Sequence, residues 1–240
     1  MAALKPAAIR RRSFRPVRFG LVASSERAYR AMETFLVSPH ARAESRALMR
    51  EGVWRADDPA APGRVEIVLY SEDLPCPHGS FTFFADDPAR TVAAVASAHE
   101  QWDLALARAY PRFRSYVSSR IIRETARENA VFAIATALPD AFPSLAEIPW
   151  SLGEFASDAV FITVNQLRMA FQLAAAHAMP VGYFEQGREI LGIAGGAFGW
   201  RALARELAGK IPFGGGLAPK GVMAYSGTYA VGTALRRHYE

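Results

Sequence analysis

A glycine, two serines and a carboxylate stand close together in GLVASSER, Gly20 to Arg27, after a short apolar run and before helix-forming residues. A nucleotide-binding protein places its phosphate loop in that setting, with the pattern G-x-x-x-x-G-K-[ST] between strand and helix. Gly20 supplies the first glycine, but Ser25, Glu26 and Arg27 stand where glycine, lysine and a hydroxyl residue are required. Ser25 carries a Cβ that hinders close approach to phosphate. Glu26 reverses the sign of the charge meeting the β- and γ-phosphates, and Arg27 cannot ligate magnesium. Nucleotide hydrolysis is therefore not expected. The amides near Ser24 and Ser25, at a helix start, are expected to hold at most a weak anion. GGGLAPKG, Gly214 to Gly221, is a second decoy: Pro219 and Gly221 replace the glycine and the hydroxyl, and Pro219 reads as a helix start.

Other chemistry-bearing residues are scattered. His99 and Asp103 are four apart, and Cys76 and His78 flank Pro77 with Asp73 nearby, yet neither group has a further ligand close in sequence. Ser226 in AYSGTY lacks the first glycine and the strand of a nucleophile elbow. No catalytic, cofactor or metal site is expected. Asp158, Asn165 and Gln172 recur every seven residues on a largely apolar stretch, with Arg168 beside them, so they share one helix face. Such a stripe glues helices together, lines a cavity or faces water, and all three readings stay open. Arg120, Arg123 and Arg127, interleaved with Glu124 and Glu128, read as a solvated face.

Charge is unevenly spread. Lys5, Arg10, Arg11, Arg12, Arg15 and Arg18 open the chain with no acid among them. The whole holds 28 basic and 23 acidic residues, so without those six the remainder is about neutral. Residues 1–16 read as a basic arm, either a mobile terminus or a contact for a phosphate-bearing surface. Nucleic acid is the less expected partner. One cysteine, Cys76, excludes an internal disulfide framework and suits a reducing compartment; no secretory signal is visible.

The elements that must carry these residues follow from periodicity. VRFGLVA, RVEIVLYS and FTFFA read as short strands, and the residues after Ser25 as a helix, giving a small α/β unit over 17–87. From Pro88 the chain reads as helical to residue 240. One helix runs to Tyr110, a second from Pro111 is stopped by Pro139, and a long one covers 152–177. A final pair follows, joined by KIPFGGG. The fold class expected is mainly α: a small N-terminal α/β unit, then a multi-helix domain ending in a Gly-rich helical hairpin. In that hairpin Gly192 with Gly196, and Gly195 with Gly199, form G-x-x-x-G, a spacing that permits close helix packing. ILGIAGGAFGW and GVMAYSGTYAVGTAL are each too short to span a bilayer.

ARENAVFAIATALPDAFPSL, GEFASDAVFITVNQLRMAFQLAAA and GAFGWRALARELAGKIPFGGGLAPKGVMAYSGTYAVGTAL together resemble a bacterial family of unknown function that accompanies GTPase domains, the YcjF-like group, over about residues 105–239. The resemblance implies a helical domain associated with membranes and with a GTPase, and it supplies no catalytic residues. The function expected is a non-enzymatic scaffold or interaction module, cytoplasmic and peripheral to or partly inserted at the inner membrane, with a GTPase or another protein as partner. The alternative is an α/β protein that binds a small anion or nucleotide-related ligand, with or without turnover.

Overall fold

The computed structural model describes residues 4–39, 41, 43–61, 63, 65–141, 158–193, 195–196 and 217–240. The chain is mainly helical with a small parallel sheet near its N-terminus. It forms two compact units, one of Ala8–Ser118 with Ala175–Met179, the other of Met1–Ala7, Ser119–Ala174 and Pro180–Glu240. This differs from the expected division at residue 87, because the helices just after the sheet pack on it.

In the first unit, α1 (Pro6–Ser13, of which residues 8–13 belong here) precedes β1 (Phe19–Val22), α2 (Glu26–Leu36), α3 (Ala43–Glu51) and β2 (Val53–Arg55). β3 (Ile67–Ser71), β4 (Phe81–Phe83), α4 (Pro88–Ala98) and α5 (Asp103–Ala109) follow. All the strands are parallel, in the order β2-β1-β3-β4. Ile67, Leu69 and Ser71 of β3 are buried while Val68 and Tyr70 are partly open, the period-two signature of a strand with one face on the core. Phe19 and Leu21 of β1 are fully buried in the same core, with Met32 and Leu36 of α2. The expected strands at 17–23, 64–71 and 81–85 are present, and β2 is an addition. VWR is too short to display periodicity, and it becomes a strand by pairing with Phe19–Leu21.

The unbroken helix expected over 88–110 is two helices. α4 starts at Pro88 with the Asp87 side chain accepting from the Arg90 amide at 3.3 Å, a paired cap and N1 proline. It ends at His99, whose ring stacks on Trp102 at 4.5 Å and 14° across a 3₁₀ turn, Glu100–Trp102. Helix propensity does not register that aromatic pairing, and the chain breaks to make it. His99 and Asp103 are thus not neighbours on one helix face. Asp103 takes an ion pair from Arg12 at 3.4 Å instead.

The second unit is built on α6 (Arg114–Ala141, of which residues 119–141 belong here), α7 (Asp158–Ala176, of which residues 158–174 belong here) and α8 (Leu217–Tyr239). α6 continues past Pro139, where a stop was expected. α7 and α8 both run antiparallel to α6. Asn129 bonds to Asn165 and to Thr228, Phe132 stacks on Phe161 at 3.8 Å, and Arg236 donates to Ser119 at 3.1 Å. Among the described residues no helix is long and apolar enough to cross a membrane.

Candidate functional site

In an open parallel sheet, ligands bind outside the carboxyl ends of the strands where the strand order reverses. Here that point lies between β1 and β3, and the sequence after β1 is the GLVASSER turn. Gly20 does not belong to a loop. It sits inside β1, buried, and a Cβ there would stand 3.0 Å from Val65 Cγ2, so its role is to admit the valine. The turn begins after Val22, and no glycine in it lets backbone amides wrap a phosphate.

The turn's polar groups are already engaged. Ser25 caps α2, its hydroxyl accepting from the Ala28 amide at 3.3 Å. The Ser24 hydroxyl donates to the Asp73 carboxylate from the loop after β3, while the Ser24 amide donates to Ser71 Oγ at 3.4 Å. Asp73 therefore stands where an incoming anion would, and these hydroxyls hold its carboxyl below the usual carboxylate range. Glu26, the residue in the place of a phosphate-loop lysine, binds Arg55 at 2.7 and 3.0 Å and Arg30 at 3.2 Å. Those bonds, Arg55 first, keep its carboxyl charged and low. Arg55 also meets Glu33 at 3.0 Å and lies over the Tyr29 ring at 4.7 Å. With Asp57 within 3.5 Å of the Tyr29 hydroxyl, this rim carries more carboxylates than cations. A polyphosphate meets repulsion there.

Cys76 is exposed, and Asp73 turns to Ser24 rather than toward it. Among the described residues no group of three or more His, Cys, Asp or Glu side chains is arranged to hold a metal. Ser226 donates to the Val222 carbonyl one turn back along α8 at 2.7 Å, an ordinary helix contact.

The basic segment is folded rather than a free arm. Residues 6–13 form α1 because Ile9 and Ser13 are buried and anchor it. Lys5, Arg10, Arg11, Arg12 and Arg15 all face outward. Arg12 pairs with Asp103, and Arg15 lies 5.0 Å over the Trp102 ring beside a cleft of about 270 Å³ lined also by Val65 and Glu66. Arg10 and Arg11 have no ion pair among the described residues.

In the second unit the heptad stripe resolves in part. Asn165 is buried and donates to Asn129 Oδ1 at 2.8 Å; Asn129 in turn donates to Thr228 Oγ1 at 2.9 Å, and Gln166 reaches the same oxygen at 3.4 Å. All four side chains are buried, so this is a satisfied polar network joining α6, α7 and α8. Arg168 forms an ion pair with Glu128, and Gln172 is half-buried. Asp158 opens α7, and its side chain lies outside the described residues. Of the three readings of the stripe, Asn165 takes the helix-joining one. Asn129, Gln166 and Thr228, its partners, carry no periodic signal and are visible only once the helices are paired.

The close glycine packing also falls elsewhere than expected. Gly192, Gly195 and Gly196 are exposed, and a Cβ on any of them meets no described atom within 4 Å; Gly199 lies outside the described residues. The tight positions are Gly221 and Gly232 of α8. A Cβ would come within 2.7 Å of Ile134 at the first and within 2.8 Å of Ile122 and 2.9 Å of Met169 at the second. No family model, no curated protein and no solved structure matches this chain.

Proposed function

We propose that this chain is a non-enzymatic interaction module that works at an anionic membrane surface and pairs with a GTPase. The observation that carries the reading is the exposure of Arg10, Arg11, Arg12 and Arg15, carried on and just after a folded helix in a stretch whose first acidic residue is Glu26. Cations carried on a folded helix meet anionic headgroups with less backbone ordering cost than those of a mobile arm. Lys5, exposed as well, adds to the same charge excess along the chain. The scaffold character is supported by the β1–β3 crevice, where Ser24 is bound to Asp73, Ser25 caps α2 and Glu26 is paired with Arg55 and Arg30. The partner class rests on the resemblance of residues 105–239 alone.

Flotation of the full chain with vesicles tests the membrane half. Binding is expected on phosphatidylglycerol and not on phosphatidylcholine. Arg10→Gln with Arg11→Gln is expected to weaken it about thirtyfold at low salt, from ~1 kcal/mol per surface cation. Deleting residues 1–16 is the poorer test, because Ile9 and Ser13 are buried and their loss would disturb the fold. Binding that is equal on both lipids, or indifferent to the two substitutions, would count against the reading. Co-purification of a GTPase from cells expressing the chain, lost when the second unit is unfolded by substitution, tests the partner half.

A further inference from the structure

The crevice at the carboxyl ends of the strands is occupied by its own side chains, but the cleft of about 270 Å³ beside Arg15 lies at the other end of the sheet. Arg15, Val65, Glu66 and Trp102 line it; Arg15 stands ahead of β1, and Val65 and Glu66 stand directly ahead of β3. Its volume falls just under the ~300–1,000 Å³ usual for ligand pockets, which suits a molecule of amino-acid size rather than a nucleotide.

The cleft holds one charge of each sign. Glu66 is fixed by Arg18: its Oε2 accepts from the Arg18 amide at 2.9 Å, and its own amide donates to the Arg18 carbonyl at 3.1 Å. The Arg18 guanidinium lies 3.8 Å from the same oxygen, so Oε1 can accept from another donor. Arg15 is exposed and has no ion pair among the described residues, and its Cζ lies 5.0 Å from the centre of the Trp102 ring.

Trp102 supplies a wall and a donor. Its ring is held by the stack on His99, and Phe81 stands edge-on to that imidazole at 5.5 Å. The indole Nε1–H is buried and has no acceptor among the described residues. Native folds rarely leave such a donor unanswered, and an acceptor carried by a ligand answers it. A cation, a carboxylate, an unanswered donor and two apolar surfaces thus share one small cavity. A plain anion would face the charge of Glu66, and a plain cation would leave Arg15 and the indole without a partner. A zwitterion meets all of them.

We propose that this cleft binds a free α-amino acid with an apolar side chain. The ligand's carboxylate takes the fork of Arg15 and the indole N–H, and its ammonium donates to Glu66. Its side chain lies against Trp102 and Val65. The site stands apart from the membrane and partner readings above.

The test is calorimetric titration of the full chain with leucine, phenylalanine, 3-phenylpropionate, which lacks the ammonium, and phenethylamine, which lacks the carboxylate. Wild type is expected to bind phenylalanine about tenfold more tightly than either truncated ligand. Glu66→Gln, whose amide oxygen still serves the Arg18 amide, is expected to lose about tenfold for phenylalanine and phenethylamine and nothing for 3-phenylpropionate. Arg15→Gln is expected to lose about tenfold for phenylalanine and 3-phenylpropionate and nothing for phenethylamine. A disturbed fold would weaken every ligand alike, so the crossed pattern separates recognition from structure. In ¹⁵N-labelled chain, the indole N–H resonance that Trp102→Phe removes is expected to shift with phenylalanine and 3-phenylpropionate only. Should a variant fail to fold, the ranking of the ligands on wild type decides alone. Equal affinity for phenylalanine and 3-phenylpropionate would overturn the amino-acid site in favour of a simple carboxylate site. No saturable heat with leucine or phenylalanine, or binding indifferent to both glutamines, would also overturn it. Phenylalanine binding by a chain that does not float with anionic vesicles would leave the site standing and overturn the membrane reading alone.

Discussion

Tyr110→Ala is expected to lower the unfolding free energy by about 3–5 kcal/mol, the usual cost of emptying a large aromatic position in a core. Tyr110 is 1% exposed, and its ring stands edge-on to Phe19 at 4.8 Å. Its hydroxyl donates to the Val17 carbonyl at 2.8 Å and lies 3.3 Å from the Gly52 carbonyl. One side chain thus clasps the segments that enter β1 and β2. Burial, followed by the charge of Glu66, raises the phenol's pKa above the ordinary tyrosine value. Gly52 must lack a Cβ, which would run into that hydroxyl. Tyr110→Phe keeps the ring and takes the donor from the Val17 carbonyl, at about 1–3 kcal/mol, while the Gly52 carbonyl still accepts from the Phe19 amide at 2.8 Å. Urea unfolding of both variants checks the pair. An alanine variant as stable as wild type would contradict this packing. Against a typical total of about 5–15 kcal/mol, the expected loss brings the chain near the threshold of folding.

Asn129→Ala is expected to cost about 3 kcal/mol, because two buried partners, Asn165 and Thr228, lose a hydrogen bond at once. The network offers a sharper measurement than a single substitution. Thr228→Val removes the oxygen that both Asn129 and Gln166 use. The double variant is then expected to be less destabilised than the sum of the two single ones, with a coupling of about 0.5–3 kcal/mol. Strict additivity would mean that the three helices are not joined through these side chains. The same helices meet across Gly221 and Gly232, where larger side chains would force Ile134, Ile122 and Met169 aside.

The fold class is legible from periodicity and punctuation. Alternation in IVLYS, the helix formers after Ser25 and the proline at 88 point to the strand and helices that form, and the helical C-terminal portion follows from unbroken helix formers. What escapes is whatever depends on two distant segments meeting. VWR is a strand only beside FGLV; the break at His99 exists for a stack on Trp102; Asn129 and Thr228 matter only across paired helices. The basic segment is legible as charge and not as structure, because its anchors are just Ile9 and Ser13. At the β1–α2 turn the Glu26 carboxylate legible in the sequence is present, paired with Arg55 and Arg30. Asp73, the carboxylate that fills the position, comes from a loop 49 residues away, and no local pattern announces it.

Calorimetric titration of the full chain with GTP and with ATP, in magnesium and alongside an assay for released phosphate, bears most directly on whether this is an interaction module or a catalyst. No saturable heat and no release are expected, since a carboxylate already sits at the crevice and Glu26 and Asp57 repel a second anion. Micromolar binding, or turnover that vanishes with Ser24→Ala, would contradict it.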